Sequence, residues 1–222
     1  MSSDIENEYF SDGVTEEIIN ALAKIESLNV TSRTSSFFFK NKNFPINQIG
    51  KELNVLMLLE GSVRKSGNDV RITAQLVNVE DGFHYWSETY NHQLDDIFKV
   101  QDQISNKVAH KIREYLGHFN YEEQEFVREE SAEAYEYFLK SRFNFNKFQK
   151  EDISLALEQI DLAIEAEPRN SRYYAAKGIY CGYMAIMKMV PFDEAFKLSK
   201  TAAEKALSID STDPEAHYSM LV

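Results

Sequence analysis

The residues best suited to chemistry are an arginine and three hydroxyl side chains early in the chain. Arg33 is followed directly by Thr34, Ser35 and Ser36, so one cation lies beside several hydroxyl and backbone donors. Donors grouped in this way can cradle an anion. The sequence therefore predicts a small-ligand site at Arg33–Ser36, with a solvated strand end and a local cap as the structural alternative.

Two other groups have both a functional and a structural interpretation. Asp12, Glu16 and Glu17 could form a carboxylate site, but helix capping and a favourable contact with the helix dipole explain them with fewer assumptions. Trp86 and Tyr90 alternate onto one face of a predicted strand, where they could stack on a ligand or pack beneath a helix. We favour packing for this pair, because large aromatic side chains most often contribute to a core.

Known catalytic signatures are missing from the sequence. It contains no phosphate-binding glycine loop, no zinc-protease motif and no nucleophile elbow. His84 and His92 flank one predicted strand but have no obvious third ligand for a metal. Cys181 is the single cysteine, which excludes an intrachain disulfide framework and a cysteine zinc cluster. We therefore expect no enzymatic activity from this chain, and no catalytic, cofactor-binding or metal-binding residues.

Composition narrows the class of protein further. The chain has 222 residues and a formal net charge of −12, and such an acidic surface repels nucleic acid and anionic membranes. Its apolar stretches are shorter than the roughly 20 residues that span a bilayer. The acidic N-terminus does not resemble a signal peptide. We expect no binding to nucleic acid and no insertion of this chain into a membrane.

The first part of the chain, residues 1–118, mixes helix and strand patterns. Hydrophobic spacing predicts a helix that Asp12 caps, then a strand, a second helix, three antiparallel strands joined by tight turns, and a long helix closed by Gly117. The predicted elements are Val14–Ile25, Leu28–Arg33, Ile46–Leu53, Val55–Lys65, Asp69–Val79, Phe83–Tyr90 and Ile97–Leu116. This order predicts an α/β (or α+β) domain with a mixed sheet, whose first strand is missing.

The second part, residues 132–222, is predicted to be helical throughout. Ala163 and Ala206 occupy equivalent places in two similar segments 43 residues apart, and each segment is followed by a proline turn. Small residues that let helices approach, followed by such a turn, are typical of tetratricopeptide repeats. The usual period is about 34 residues, so we expect an insertion of roughly nine residues within Gly182–Phe192. About two repeats are present, and a third is truncated.

Two features suggest how the repeats interact. A glutamate-rich segment, residues 119–131, is expected to be an acidic linker or helix between the two parts. Aromatic residues lead into the first repeat, where they seal the helices together or line a peptide-binding groove. The candidate groove residues are Tyr137, Phe138, Tyr174 and Cys181, although a buried and inert thiol is the simpler interpretation of Cys181.

Seven short motifs of the first part occur in a distinctive order. They are Glu8–Ile19, Arg33–Phe37, Ile49–Leu53, Leu59–Arg64, Arg71–Leu76, Trp86–Tyr90 and Asp96–Asp102. Together they resemble the TolB-like N-terminal domain that precedes tetratricopeptide repeats in large bacterial signalling proteins. In that family the assembly lies C-terminal to a class III adenylate or guanylate cyclase domain, or to a winged-helix regulator domain. The resemblance implies no catalytic residues for this module, and it implies an apolar strand before the position of Met1.

The residues and the resemblance together predict a non-catalytic regulatory or scaffolding region of a bacterial signalling protein, most simply a cyclase. In this view the repeats bind a protein partner, and the alternative is a small-ligand sensor that uses Arg33–Ser36. We expect a cytoplasmic fragment of a longer protein, with a membrane-tethered parent as the alternative. An exposed sheet edge also predicts a weak tendency to form homodimers.

Overall fold

The structure, a computed structural model, describes residues 5–25, 28–116 and 131–220. The chain divides into two compact units, Met1–Arg128 and Glu129–Val222, which we call the sheet unit and the helical unit. The predicted helix end at Gly117 and almost all of the predicted linker at 119–131 lie outside the described residues. No described helix is both long enough and apolar enough to cross a membrane.

The sheet unit contains four helices and a three-stranded sheet among its described residues. A short 3₁₀ turn, Leu94–Asp96, joins the last strand to the last helix. The helices are α1 (Ile5–Ala23), α2 (Arg33–Phe37), α3 (Ile46–Leu53) and α4 (Ile97–Leu116), and the strands are β1 (Met57–Ser66), β2 (Asp69–Asn78) and β3 (His84–Gln93).

The sheet is antiparallel, with β2 between β1 and β3. Alternate side chains of β2 are buried, as the sequence pattern predicts: Val70, Ile72, Ala74 and Leu76 all face the core. Helix α1 contacts β1 and α4, while α4 contacts β2 and β3, so these two helices cover the apolar side. The unit is therefore a two-layer α/β structure with its core between one sheet face and two helices.

The opposite face of the sheet is polar and exposed. Cross-strand hydrogen bonds follow one another along it, with Arg71 donating to Asn91 at 2.9 Å and Gln75 donating to Ser87 at 3.3 Å. The hydroxyls of Thr73 and Thr89 lie between these pairs, 3.2 Å apart. An antiparallel sheet with one apolar and one polar face gives the clean alternation that the sequence shows.

The structure corrects the prediction of a strand at Leu28–Arg33. Residues 28–32 are irregular, and Arg33 instead begins α2. The hydroxyl of Ser32 accepts the backbone N–H of Ser35, and this local cap offers the backbone an alternative to a strand ladder. The described sheet is consequently antiparallel throughout rather than mixed.

The structure also corrects the prediction that Asp12 caps the first helix. Helix α1 begins at Ile5, so Asp12 lies within the helix and caps nothing. Its carboxylate binds Lys40 instead. Glu16 and Glu17, which also suggested a helix start, lie within the same longer helix and are buried.

The helical unit contains five helices among its described residues: α5 (Ala132–Phe145), α6 (Lys150–Ala166), α7 (Ser171–Ile186), α8 (Phe192–Ile209) and α9 (Pro214–Ser219). Side chains of Ser131, Asn170 and Asp213 accept backbone N–H groups at the starts of α5, α7 and α9. Consecutive helices pack on one another, and α9 also packs on α7. The helices of this unit therefore pack in chain order, each against the one before it.

Small residues set the helix spacing in this unit. Ala163 and Ala206, the two alanines of the sequence repeat, are completely buried. Gly178 on α7 is so close to its neighbours that an added Cβ would lie 3.1 Å from the Ser219 side chain and 3.3 Å from the Ser199 carbonyl. Helices α7, α8 and α9 thus meet at a point where only a small residue fits.

A buried hydrogen bond joins the starts of α7 and α9. The Ser171 hydroxyl donates to Asp213 at 2.7 Å, while the other carboxylate oxygen of Asp213 accepts the backbone N–H groups of Glu215 and Ala216. Asp213 is only 5% exposed. One carboxylate therefore caps α9 and fixes that helix to the start of α7.

A candidate binding groove on the helical unit

A groove of about 320 Å³ opens between α5, α7 and α9. Each helix contributes one stripe of side chains, and in α5 and α7 the stripe has the spacing that places residues on one helix face. The lining residues are Arg142 and Phe145 from α5 with Asn146 at its C-terminal cap, Ala176, Ile179 and Tyr180 from α7, and Pro214, Glu215 and Tyr218 from α9. Its volume lies at the lower end of the roughly 300–1,000 Å³ usual for ligand sites.

Aromatic rings form much of the groove. The rings of Phe145 and Tyr180 stack with their centroids 4.4 Å apart, and Tyr183 meets Phe145 edge-on at 5.0 Å. The Tyr180 hydroxyl is 3.3 Å from the buried hydroxyl of Ser141, which holds the ring in place. Tyr218 is 52% exposed and stands on the α9 side. Beneath the groove is thus a packed aromatic cluster in which Tyr180 is only 3% exposed, and Tyr218 is an accessible aromatic side chain on the α9 side.

A charged pair lies beside the aromatic rings. Nη1 of Arg142 is 3.6 Å from Oε1 of Glu215, and the Arg142 guanidinium is 5.5 Å from the ring centroid of Phe138. The Arg142 side chain is 20% exposed and that of Glu215 is 39% exposed. An apolar surface with a few polar groups at its margin suits a peptide segment, whose backbone needs hydrogen bonds while its side chains need burial.

The four residues predicted to line a peptide groove lie elsewhere. Phe138 is fully buried against Tyr173, with ring centroids 5.2 Å apart, and Cys181 is 3% exposed. Tyr137 and Tyr174 are half-buried, and the Tyr174 hydroxyl donates to the Pro168 carbonyl at 3.3 Å. None of the four is among the residues that line the groove between α5, α7 and α9.

Cys181 has the properties of a packing residue. Burial raises the pKa of its thiol to about 11. At neutral pH the thiol is therefore protonated, and a protonated thiol is a poor nucleophile. Chemistry at this position is disfavoured by the same burial that removes it from the groove.

In the sheet unit, the predicted ligand site at Arg33–Ser36 is occupied by the chain's own groups. Nε of Arg33 donates to Oε2 of Glu16 at 3.0 Å, and its guanidinium lies 4.2 Å from the ring centroid of Phe37. The Ser36 hydroxyl donates to the Ser32 carbonyl at 3.1 Å. Thr34 and Ser35 are exposed. An anion at this place would have to compete with Glu16 for the arginine.

The acidic residues of α1 are likewise engaged within the unit. Nζ of Lys40 lies 2.6 Å from Oε1 of Glu8 and 2.7 Å from Oδ1 of Asp12. Burial raises the pKa of Asp12, although Lys40 opposes the change. Burial alone would lower the pKa of Lys40, but its bonds to the two carboxylates outweigh burial and raise it. These ion pairs attach α1 to the segment between α2 and α3.

Of the two aromatic residues considered on β3, Tyr90 lies in the core and Trp86 is partly exposed. Tyr90 is buried, as predicted, and burial raises the pKa of its phenol. Trp86 is half-buried, and its indole N–H donates to Glu88 at 3.2 Å. Within the described ranges, no three metal-ligating side chains come together.

Comparison with known proteins gives one significant relative to report. No family model matches the chain. Over 228 aligned residues it is 31% identical to a protein of Rhizobium meliloti (strain 1021) named "Putative adenylate cyclase 3". The alignment covers 99% of this chain but only 38% of that protein. The chain is thus similar to one part of a longer protein that carries a cyclase name.

Proposed function

We propose that this chain is a non-catalytic regulatory and scaffolding region of a bacterial signalling protein of the adenylate cyclase type, and that its helical unit binds a protein partner. The open groove between α5, α7 and α9 carries the proposal, because it is largely apolar, preformed and reached by an exposed aromatic side chain. The similarity to part of a protein named as a cyclase supports the signalling context.

We further propose that the helical unit is an array of tetratricopeptide repeats. The pairs α5–α6 and α7–α8, followed by α9, support this proposal. The groove residues Ala176, Ile179 and Tyr180 follow those of α5 at a common offset of 34 residues, which is the usual period of such repeats. In this view α5, α7 and α9 are equivalent helices that line one concave side.

The sheet unit is proposed to be a TolB-like module that senses a signal or assists assembly. The order of two short helices, an antiparallel meander and a long final helix supports this assignment, together with the seven sequence motifs. Because Arg33 is bound to Glu16, the helical unit is the better candidate for partner binding.

A peptide-library selection tests the groove. Peptides selected on the whole chain should lose at least about tenfold in affinity when Tyr218→Ser removes the exposed aromatic wall. The matched control is Phe196→Ser on α8, an aromatic residue of similar exposure (47%) that does not line the groove. Selected peptides that bind both variants equally well, or a selection that yields no peptides, would count against the groove.

An activity assay tests the non-catalytic assignment separately. The purified chain is incubated with ATP and divalent metal, and cyclic nucleotide is measured by mass spectrometry. We expect no product above that from heat-denatured chain. Turnover that increases in proportion to chain concentration would overturn the assignment, whatever the peptide selection shows.

A further inference from the structure

One asparagine organises the turn between β2 and β3 in the sheet unit. The side chain of Asn78 accepts the backbone N–H of Glu80 at 2.8 Å and donates to the Tyr115 hydroxyl on α4 at 3.1 Å. Its backbone N–H donates to the Phe83 carbonyl at 3.0 Å, and its carbonyl accepts the N–H of Gly82 at 2.9 Å. Hydrogen bonds of one residue therefore fix the turn, the approach to β3 and an aromatic side chain of α4 relative to one another.

A bulge in β3 brings a second aromatic ring to the same place. The register of β2 and β3 shifts at Leu76 and Val77, and this shift leaves Tyr85 without a partner on β2. An extra residue of this kind re-aims its side chain. The Tyr85 ring meets the Tyr115 ring edge-on, with the centroids 5.5 Å apart. The bulge therefore adds a ring beside the one that Asn78 holds.

The aromatic side chains at this end of the sheet unit are fixed in place but not buried. Phe83 is 73% exposed, and Tyr85 and Tyr115 are also exposed. The backbone of Phe83 is held at both its polar groups, because its N–H donates to Asp81 at 2.9 Å and its carbonyl accepts from Asn78. Exposed rings on a rigid frame are typical of binding positions, because they lose little conformational entropy on association.

The turn between β2 and β3 is acidic. Glu80 and Asp81 are exposed, and neither forms an ion pair with any described residue. Lys111 lies close enough to Tyr85 to interact with it electrostatically, but its ammonium binds Glu114 at 2.7 Å. The turn therefore presents two carboxylates whose charge no described cation balances.

We propose that this end of the sheet unit binds an arginine-bearing segment of a protein partner. The site, which we call the aromatic–acidic site, consists of Glu80, Asp81, Phe83, Tyr85 and Tyr115. A guanidinium stacks on aromatic faces and donates hydrogen bonds to a carboxylate, often two at once. The turn supplies both features close together, since Phe83 follows the two acids after a single glycine.

The chemistry of the site favours arginine over other charged ligands. The ammonium of lysine is compact and strongly hydrated, and it has no flat face to lie on a ring. Phosphate groups are repelled by the two carboxylates, which disfavours nucleic acid and anionic lipid. The site shares no residue with the groove of the helical unit. It is therefore independent of the proposed function, and either proposal can fail without the other.

Fluorescence anisotropy with the whole chain tests the class of ligand. The probe is a fluorescein-labelled, amidated peptide of alternating arginine and leucine, and two matched peptides replace each arginine with lysine or glutamate. We expect the arginine peptide to bind at least about threefold more tightly than the lysine peptide, and the glutamate peptide not to bind. Equal affinity for arginine and lysine would overturn the assignment. So would no binding of the arginine peptide up to about 1 mM.

Substitutions of Phe83 test the aromatic face. Phe83→Leu keeps an apolar side chain but removes the ring, so the arginine peptide should bind at least about threefold more weakly. Phe83→Tyr keeps the ring and should bind as well as the unmodified chain. Phe38→Leu is the matched control, because Phe38 is an exposed ring (57%) of the same unit outside the site. Equal losses in Phe83→Leu and Phe38→Leu would overturn the proposal, since any exposed apolar side chain would then serve.

A paired substitution tests the carboxylates. Glu80→Gln with Asp81→Asn removes both charges and keeps an acceptor for the Phe83 N–H. It should weaken binding of the arginine peptide at least about fivefold and make binding less sensitive to salt. The control, Glu158→Gln with Glu165→Gln, removes two exposed carboxylates of α6. Equal weakening in both would overturn the proposal, because net charge alone would then attract the peptide.

A groove variant separates this site from the helical unit. Circular dichroism and Trp86 fluorescence first establish that each variant is folded. Tyr218→Ser should leave the affinity for the arginine peptide unchanged, since Tyr218 lines the groove and not the aromatic–acidic site. Loss of binding in Tyr218→Ser but not in Phe83→Leu would place the peptide in the groove and overturn the proposal.

Discussion

The two units of this protein hold their elements together in different ways. In the sheet unit, charged side chains connect separate elements: Arg33 binds Glu16, and Lys40 binds Glu8 and Asp12. In the helical unit, small residues and buried hydroxyl groups set many of the contacts, as Ser171 and Asp213 illustrate, beside ion pairs that join α5 to α9 and α6 to α7. The difference explains why the charged residues of the sheet unit were poor guides to a ligand site. They bind one another within that unit, whereas the helices of the helical unit leave a groove open.

The largest effect should come from adding a side chain at Gly61, where the backbones of β1 and β2 lie very close together. A Cβ at Gly61 would collide with the Thr73 carbonyl on β2, and a backbone group cannot move aside cheaply. We expect Gly61→Val to lower the free energy of unfolding by about 3 kcal/mol. Urea unfolding followed by Trp86 fluorescence measures this, because the single tryptophan of the chain lies in β3. Ser66→Val, on the exposed end of β1, is the control and should change little.

The second prediction concerns the buried hydrogen bond that joins α7 and α9 in the helical unit. Asp213→Ala removes the cap of α9 and leaves the Ser171 hydroxyl buried without its acceptor. We expect a loss of about 2 kcal/mol, measured by thermal unfolding with circular dichroism at 222 nm. Asp210→Ala removes an exposed carboxylate nearby and should cost about 0.5 kcal/mol or less. Equal losses in the two variants would show that the buried bond adds nothing.

The third prediction concerns pH and the ion pairs of α1. Lys40→Gln leaves Glu8 and Asp12 without their cation, so the free energy of unfolding should fall by about 1 kcal/mol at pH 7. The deficit should shrink as the pH falls toward 4, because the pKa of Asp12 is raised and this carboxyl protonates early.

The same deficit should also shrink at high pH. The pKa of Lys40 is raised, so its stabilisation is present below the ordinary lysine pKa and is lost as the pH rises through the folded value. Lys99→Gln is the control, because Lys99 pairs with Asp96 but is 77% exposed, and we expect no measurable change. A pH-independent deficit in Lys40→Gln would contradict the ion-pair explanation.

The smallest effect is a change in reactivity alone. Because burial raises the pKa of Cys181 to about 11, Ellman's reagent at pH 8 should react at least roughly a hundredfold more slowly with the folded than with the unfolded chain. A thiol introduced by Ser208→Cys on the exposed side of α8 should react at once. Equal rates for the two thiols would show that α7 opens readily.

Much of the fold follows from the sequence because burial imposes a period on it. The alternation of β2 and the bounds of α3 and α4 are predicted correctly, since each has one clear apolar side. The strand at Leu28–Arg33 is predicted wrongly. Its apolar residues fit a strand, but local hydrogen bonds of Ser32 compete with a ladder, and hydrophobic spacing does not report them.

The groove between α5, α7 and α9 contains none of the four residues that the sequence suggested for a peptide groove. Large aromatic side chains suggested Phe138, but a fully buried ring contributes to the core and cannot meet a partner. Which side of α5 remains open depends on how α7 and α9 pack against it, and that geometry is not local in the sequence. In the proposed repeat array, the 34-residue offset between Phe145 and Ile179 was the available signal, because equivalent residues of successive repeats would line the same side.

The place of α9 beside the groove has a consequence for how occupancy would be recorded. Helix α9 contacts α7 and α8, and its Tyr218 is 52% exposed. A ligand seated against Tyr218 would add its binding free energy to the local opening equilibrium of α9. Amide hydrogen exchange in α9 would then slow as the groove is occupied, so this helix would report the bound state.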